Sequence, residues 1–337
     1  LTVGAAWQFA NTTDNYRYVD RNLRQPAFTL ANEANRAVFV PASSINPTTG
    51  ALNSVNGRQF AELGRVLELQ SDAGLRQRSF ILDGTLRLPR GAEIGGSFTW
   101  NRTRDDNSYN CCIAITSVFT PVASDPRVAT WGFANNDFRH KVVVYGALPT
   151  FAGLRLSGRY IGQSGTPVSF TVANDINGDD VGVGSGFANQ NDLAFLFDPD
   201  AAGVQPEVAT GMRNVLNNPQ NIARGFLRDN LGTIAPRNGF RNPFFGQLDL
   251  RLSWDPSRIW RSIPRVELTA DVFNAIPLFD RDKGAVEVIP AARQTLLTVT
   301  GFDPATQRYR YRVNEQAGVP VRIGNRYQIQ VGARVGF

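Results

Sequence analysis

Asp175, Asn177, Asp179 and Asp180 put side-chain oxygens at mostly alternate positions of one short stretch. A curled loop with that spacing can surround a hard cation such as Ca2+, which takes six to eight oxygens. The sixth position, where such a loop turns on Gly, is Asp180, and no Glu stands at the twelfth. A polar turn is therefore the favoured reading. Ca2+ in the 175–180 loop, held by Asp175, Asn177 and Asp179, is the second, and no other cofactor is expected. His140 is the one histidine, so a Cys/His pairing is limited to His140 with Cys111 or Cys112. No G-x-S-x-G elbow is present. Asp105-Asp106 and Asp179-Asp180 are adjacent carboxylates in loops, which does not make a catalytic pair. Gly182-Val-Gly-Ser-Gly186 lacks the strand-to-helix setting of a phosphate loop. Asp137, Arg139 and His140 stand where a loop enters a strand, and a rim ion pair is favoured there over ligand contact. An enzyme is not expected.

The charges that do form a pattern lie on strands. Asp83, Arg87, Glu93, Arg155, Arg159, Asp249, Arg251, Arg265, Glu267, Asp271 and Arg334 each alternate with apolar neighbours and so share the face opposite them. On a lipid-facing side each Arg would cost about 2 to 4 kcal/mol near the midplane, whereas on a wet lumen wall the charges can pair with one another. The elements required are therefore transmembrane β-strands, apolar outside and polar inside. The last twelve residues show the pattern without a break. Tyr327, Ile329, Val331, Ala333, Val335 and Phe337 fall on one face, and Arg326, Gln328, Gln330, Gly332, Arg334 and Gly336 on the other.

Composition agrees. With 337 residues, 42% hydrophobic and 19% charged, the chain can build one large domain and is not disordered. No run of 18 apolar residues provides a transmembrane helix. A barrel keeps half of each strand polar, so the mean hydropathy of -0.23 fits it as well as a soluble protein. The net charge of +6 comes from arginines scattered over strands and loops, with no basic cluster or basic helix, so nucleic-acid binding is not expected. Cys111 and Cys112 are too few for a disulfide scaffold and wrongly spaced for zinc. They read as free thiols, a vicinal disulfide, or partners for another chain. Residues 1–10 lack the features of a secretory signal, which suggests a fragment whose export information lies upstream.

In order, alternating strands are predicted over 1–10, 79–88, 94–101, 140–148, 154–160 (with a continuation as far as Val172), 248–254, 266–272 and 326–337. Leu63 to Leu69 is a candidate additional strand, and a helical turn or two is expected around 218–230. An exposed hairpin is expected from 296–299 with 309–313. The connections alternate between short (89–91, 149–153, 255–264) and long (11–78, 102–137, 173–242, 275–324). Antiparallel strands threading a membrane put alternate connections on opposite sides, short turns inside and long loops outside. A soluble β-sandwich, the competing architecture, gives no reason to segregate connection lengths by parity. Trp7, Phe80, Trp100, Tyr160, Phe245 and Tyr327 are assigned to the outer aromatic girdle, and Trp254, Trp260 and Phe337 to the inner one. The predicted fold is all-β, an antiparallel transmembrane β-barrel, here a partial barrel of about eight membrane strands with long external loops.

A final strand ending on Phe resembles that of bacterial outer-membrane barrel proteins. The resemblance implies that Tyr327, Val335 and Phe337 carry a signal read by the barrel-insertion machinery. More broadly, five segments resemble the C-terminal barrel portion of TonB-dependent outer-membrane receptors, especially the Oar-like group with a carboxypeptidase-regulatory-like N-terminal domain. They are Ser79-Phe-Ile-Leu-Asp-Gly-Thr-Leu-Arg-Leu88, Gly95-Gly-Ser-Phe-Thr-Trp-Asn-Arg102, Asp137-Phe-Arg-His-Lys141, Leu154-Arg-Leu-Ser-Gly-Arg-Tyr160 with Gln163-Ser-Gly-Thr-Pro167, and Leu268-Thr-Ala-Asp-Val-Phe-Asn274 with Phe337. Each is short, and together they span most of the chain. The resemblance implies uptake of a bulky ligand (siderophore, oligosaccharide or peptide) through a plugged barrel of about twenty-two strands. The implied partners are outer-membrane lipid, a plug domain and the TonB complex, reached through N-terminal parts that this chain lacks. An adhesion or structural barrel, or a secreted soluble β-sandwich, remains the alternative.

Overall fold

The computed structural model describes residues 1–108, 114–181, 190–260, 265–281, 283, 285–324 and 326–336. Eight long strands form an antiparallel wall: β1 (Thr2–Asp20), β2 (Leu67–Arg87), β3 (Glu93–Asp105), β4 (His140–Ala147), β5 (Leu154–Gln163), β6 (Phe245–Trp254), β7 (Arg265–Phe273) and β8 (Gln328–Gly336). They pair strictly in that order, β1 to β8. The architecture is the predicted partial barrel with its neighbours in sequence order. Among the described residues β1 and β8 pair with no further strand at their outer edges.

Register settles which residues share a face. Leu86, Ile94, Gly146, Gly158, Leu250, Val272 and Ile329 form one row across seven strands, and Leu156, Leu252, Ala270 and Val331 the row beneath it. These rows are apolar and many of their side chains are exposed, including Ile94, Leu252 and Val331. The other face carries Arg87, Glu93, Ala147, Ser157, Arg251, Asp271 and Gln330 in one row. A one-residue slip anywhere would exchange the faces, so the alternation itself fixes the register. The short turns close the inner end. Gly153 sits at φ 75, and a Cβ there would lie 2.1 Å from the Asp255 carbonyl oxygen, so only Gly lets the two inner turns touch.

The packed core lies elsewhere. The long connections fold together into one cap at the outer end of the wall. Pro167–Ala173 is fully buried but for its last residue, and it pairs in parallel with Arg293–Asp303, which pairs with Arg308–Val313. Helices α1 (Pro206–Asn217) and α2 (Arg224–Asp229) pack on this sheet. Leu30, Val38, Phe170, Met212, Leu227, Leu296 and Phe302 join in one buried cluster drawn from three of the four connections. Wall side chains face the surroundings, whereas cap side chains face each other.

Several expectations are corrected. The connection placed at 11–78 begins and ends as strand: β1 runs to Asp20, and β2 starts at Leu67 and takes in the end of the Leu63–Leu69 candidate. At about 3.3 Å per residue its 21 residues reach about 70 Å, far more than the roughly 25 Å apolar band of a membrane barrel. The outer parts of β1 and β2 stand clear of the hydrocarbon, where no apolar face is demanded, so the alternation that marks a membrane strand fades. Likewise β3 extends to Asp105. β5 does not continue to Val172: it ends at Gln163, and the strand after Pro167 belongs to the cap. The hairpin expected to be exposed is core, with Phe302 and Tyr309 fully buried. Helix α1 lies ahead of the 218–230 stretch, which holds only α2. Phe245 shares the polar face with Gln247. The ring on the apolar side is Phe244, which lies over Gly162 beside Tyr160.

Candidate functional site

Two regions hold the polar residues singled out above, the polar face of the wall and the base of the cap. All eleven charged wall residues fall on one face. Arg87 pairs with Glu93 at 3.2 Å, Arg159 with Asp249 at 3.0 Å and Arg251 with Asp271 at 2.8 Å. Each pair joins adjacent strands in register, so each neutralises its partner without leaving the face. Glu267 stands directly opposite Arg334. Asp83 lies over Gly4, where a Cβ would come within 2.7 Å of its Oδ1. Arg155 donates to the Gly91 carbonyl at 3.4 Å, and Arg265 faces Gly336 at the inner end. Exposed pairs of this kind contribute little to stability, roughly 0 to 1 kcal/mol each. Their effect is a neutral but strongly polar wall.

Tyr145 stands on this face, with Phe245 and Phe273. Its ring crosses Gly95, where a Cβ would meet it at 2.6 Å, and its hydroxyl lies 3.1 Å from Thr85 Oγ1. With Glu93, Arg155, Arg159, Asp249, Arg251 and Asp271 it lines a hollow of about 480 Å³. Phe273 lines it too, and charged forks beside two rings suit a polar ligand or a packed polar domain. Sequence reading gave the charges but not Tyr145, whose position on a strand with three consecutive valines hid its parity. The register resolves it: Val142 and Val144 fall on the apolar face, Val143 and Tyr145 on the polar one.

At the base of the cap the 175–180 loop is buried. Asp175 accepts from the backbone N–H groups of Asn177, Gly178 and Asp180 at 3.1, 2.6 and 2.8 Å. Asp179 accepts from the Val181 N–H at 2.8 Å and from the Asn191 side-chain amide at 2.6 Å. These contacts make the polar turn. Among the described residues no group of three or more His, Cys, Asp or Glu is arranged to hold a metal ion. The structure adds two partners that the spacing did not show. Asp192 accepts from the Asn177 side-chain amide at 3.0 Å, and Arg36 lies 3.7 Å from Asp192 and 3.4 Å from Glu33, all with fully buried side chains. Tyr311 donates to Glu33 at 2.7 Å. Nothing in sequence spacing links position 36 to 192 or 33 to 311; only the folded cap does.

Burial governs the titration of this network. It pushes Asp175 well above the usual carboxylate range, with Asp179 and Asp192 close by adding to the rise. It raises Asp179 to about 6 against the hydrogen bonds from Asn191 and Val181, and Asp192 to about 7, where Asp179 adds to the rise and Arg36 opposes it. Glu33 is raised by burial too, against the pull of Arg36. A carboxyl whose folded pKa exceeds its unfolded value binds more protons folded than unfolded between the two, so stability falls as pH rises through that window. The cap should therefore lose stability as pH rises from about 4 through 6 and 7, where Asp179 and Asp192 ionise. Hydrogen exchange of the Pro167–Ala173 strand, followed from pH 5 to 8 after correction for intrinsic rates, should show falling protection, and Asp192→Asn should flatten the trend. Unchanged protection would mean that the carboxyls are not desolvated.

At the rim, Asp137 is fully buried and accepts from Thr103 N–H at 2.7 Å, from Arg139 at 3.0 Å and from Arg241. This is the ion pair expected at the strand start. His140 stacks on Phe98 at 5.9 Å. At the outer end of β1 to β3 the aromatic residues cluster, Trp7 lying 5.8 Å from Phe80 and 6.2 Å from Trp100. At the inner end Trp254 meets Trp260 at 6.1 Å. Tyr327 is exposed just ahead of β8, and Val335 faces Val266. Cys111, Cys112, the Gly182–Gly186 stretch and Phe337 lie outside the described residues.

Comparison with family models agrees with this architecture. The family model described as an outer membrane beta barrel domain matches residues 7–277. Among solved structures, the outer membrane transporter YddB from Escherichia coli is similar at 12% identity with a TM-score of 0.40. That alignment covers 98% of this chain and 30% of the transporter, so the chain spans under a third of its length. No curated protein matches the sequence significantly. With apolar rows on one face, paired charges on the other and aromatic rings at both ends, the chain belongs to the outer membrane beta barrel family and resides in the bacterial outer membrane.

Proposed function

We propose that the chain is the C-terminal barrel portion of a TonB-dependent receptor of the Oar-like type, taking up a bulky ligand such as a siderophore, oligosaccharide or peptide. The observation that carries this reading is the pair of sheet edges, on β1 and β8, that no other strand among the described residues covers. Strand edges left open in hydrocarbon leave backbone groups unsatisfied at several kcal/mol each, so such a sheet must be completed by further strands. A barrel of well over eight strands encloses a lumen that a plug domain fills. In this reading the eleven charged wall residues face that lumen, and the hollow beside Tyr145 receives the plug or the ligand path. The cap closes the outer mouth, where ligand is first met. Tyr327, Val335 and Phe337 form the strand-end signal for the insertion machinery. Energy comes from the TonB complex, and no catalytic step is involved.

The test is the intact mass of the native polypeptide in an outer-membrane fraction, followed by ligand uptake with and without proton-motive force. A mass about two to three times 37.0 kDa, with uptake abolished by an uncoupler, is the expected result. A mass near 37.0 kDa would reject energised transport and favour a small adhesion or structural barrel.

A further inference from the structure

The apolar face of the wall ends in an arginine array that none of the roles above uses. One row outward from Phe80 and Trp100, Arg78 stands directly opposite Arg102; two residues farther, Arg76 stands opposite Arg104. On β1 the neighbours in these rows are Phe9 and Asn11. All four arginines are exposed. Like charges directly opposite one another on a sheet repel, and two successive pairs make a two-by-two block of cations. Among the described residues no carboxylate pairs with any of the four.

Charge is sorted by face along this stretch. The inward positions of the same strands are Gln77, Ser79, Asn101, Thr103 and Asp105, tied together and to the cap by hydrogen bonds such as Ser79 to Asn101 at 2.7 Å and Arg237 to Asp105 at 2.6 Å. The acid is spent inside, and the bases are left outside. Three of the four rest on aromatic rings: Arg76 lies over Trp131 at 5.3 Å, and Arg102 and Arg104 lie over Phe133 at 5.9 and 5.8 Å. Ring faces support guanidinium planes without neutralising them, so the donors stay available to an anion.

Position identifies that anion. The array continues the face that carries Trp7, Phe80 and Trp100, and below them Ala5, Leu82, Phe98 and Val142. With about 6.6 Å per two residues, its rows stand about 7 and 13 Å outward of the aromatic girdle, at headgroup depth of the outer leaflet. A free external anion would have no use for the apolar rows beneath, whereas a lipid engages both with one molecule. We propose that Arg76, Arg78, Arg102 and Arg104 form a docking surface for the phosphorylated headgroup of lipopolysaccharide, whose acyl chains lie along the apolar rows below.

The test uses the native outer-membrane protein purified in detergent and titrated with lipopolysaccharide, with the same lipid dephosphorylated, and with inorganic phosphate. Tighter binding of the phosphorylated lipid than of either other probe is expected. Arg78→Gln with Arg102→Gln should weaken it about 25-fold, at about fivefold per arginine, while Arg155→Gln on the opposite face should leave it unchanged. Heat-modifiable gel migration reports that each variant is folded. Equal affinity for the dephosphorylated lipid, or a folded double variant that binds as tightly as the parent, would overturn the proposal. Inorganic phosphate bound as tightly as the lipid would reassign the array to free anions. The comparison of the three probes uses the unmodified protein, so it decides the matter even if a variant fails to fold.

Discussion

Replacing Arg237 with Met should destabilise the cap by about 3 to 5 kcal/mol, because it strips the partner from a buried carboxylate. The Arg237 side chain is fully buried and bonds Asp105 at 2.6 Å, the Ser108 hydroxyl at 3.0 Å and the Thr130 carbonyl at 3.1 Å. One residue from the third long connection thus ties the end of β3 to the second connection. Hydrogen exchange should rise at 103–108, 130–133 and 237–241, while the gel migration of the folded wall is kept. Pairing Arg237→Met with Asp105→Leu should recover much of the loss, since a buried ion pair replaced as a unit by apolar groups costs little. If the single substitution leaves exchange unchanged, the connections do not act as one folded body.

The second large effect is on the wall. Leu250→Arg places a charge in the row shared by Ile94, Val272 and Ile329, about midway along the apolar face, and should cost about 2 to 4 kcal/mol of folding free energy in lipid. Gln247→Arg, on the polar face beside Asp249, should change stability by less than about 0.5 kcal/mol. The two positions are three residues apart on one strand, so only the face distinguishes them. Urea titration of the protein refolded into vesicles measures both. Equal costs would mean that the two faces meet the same solvent and would sink the membrane assignment.

Both substitutions bear on what could be read before folding was known. Wall residues such as Leu250 and Arg251 announce their faces because lipid and water impose opposite chemistry at a period of 2, and the constraint is local. Where the solvent is the same on both sides the pattern fades, and so the outer halves of β1 and β2 read as loop.

The cap was not legible for a related reason. Its strand at Pro167–Ala173 alternates Val168, Phe170 and Val172 and so reads as more of the membrane strand before it, whereas it is buried on both faces and pairs in parallel with a strand more than a hundred residues away, which no local pattern marks. Arg36 meeting Asp192, Arg237 meeting Asp105 and Tyr311 meeting Glu33 are likewise contacts that closing long loops creates, and no spacing encodes them. The arginine array lies between the two cases. Sequence shows the arginines one by one, but only the pairing of β2 with β3 places Arg78 against Arg102 and Arg76 against Arg104. The amino-acid sequence by itself determined that strands cross the outer membrane, and which face their charged residues take, because the bilayer reads residues two at a time. The tertiary structure alone decided that the external connections form one packed body and which charges it buries, because those depend on loop closure over more than a hundred residues.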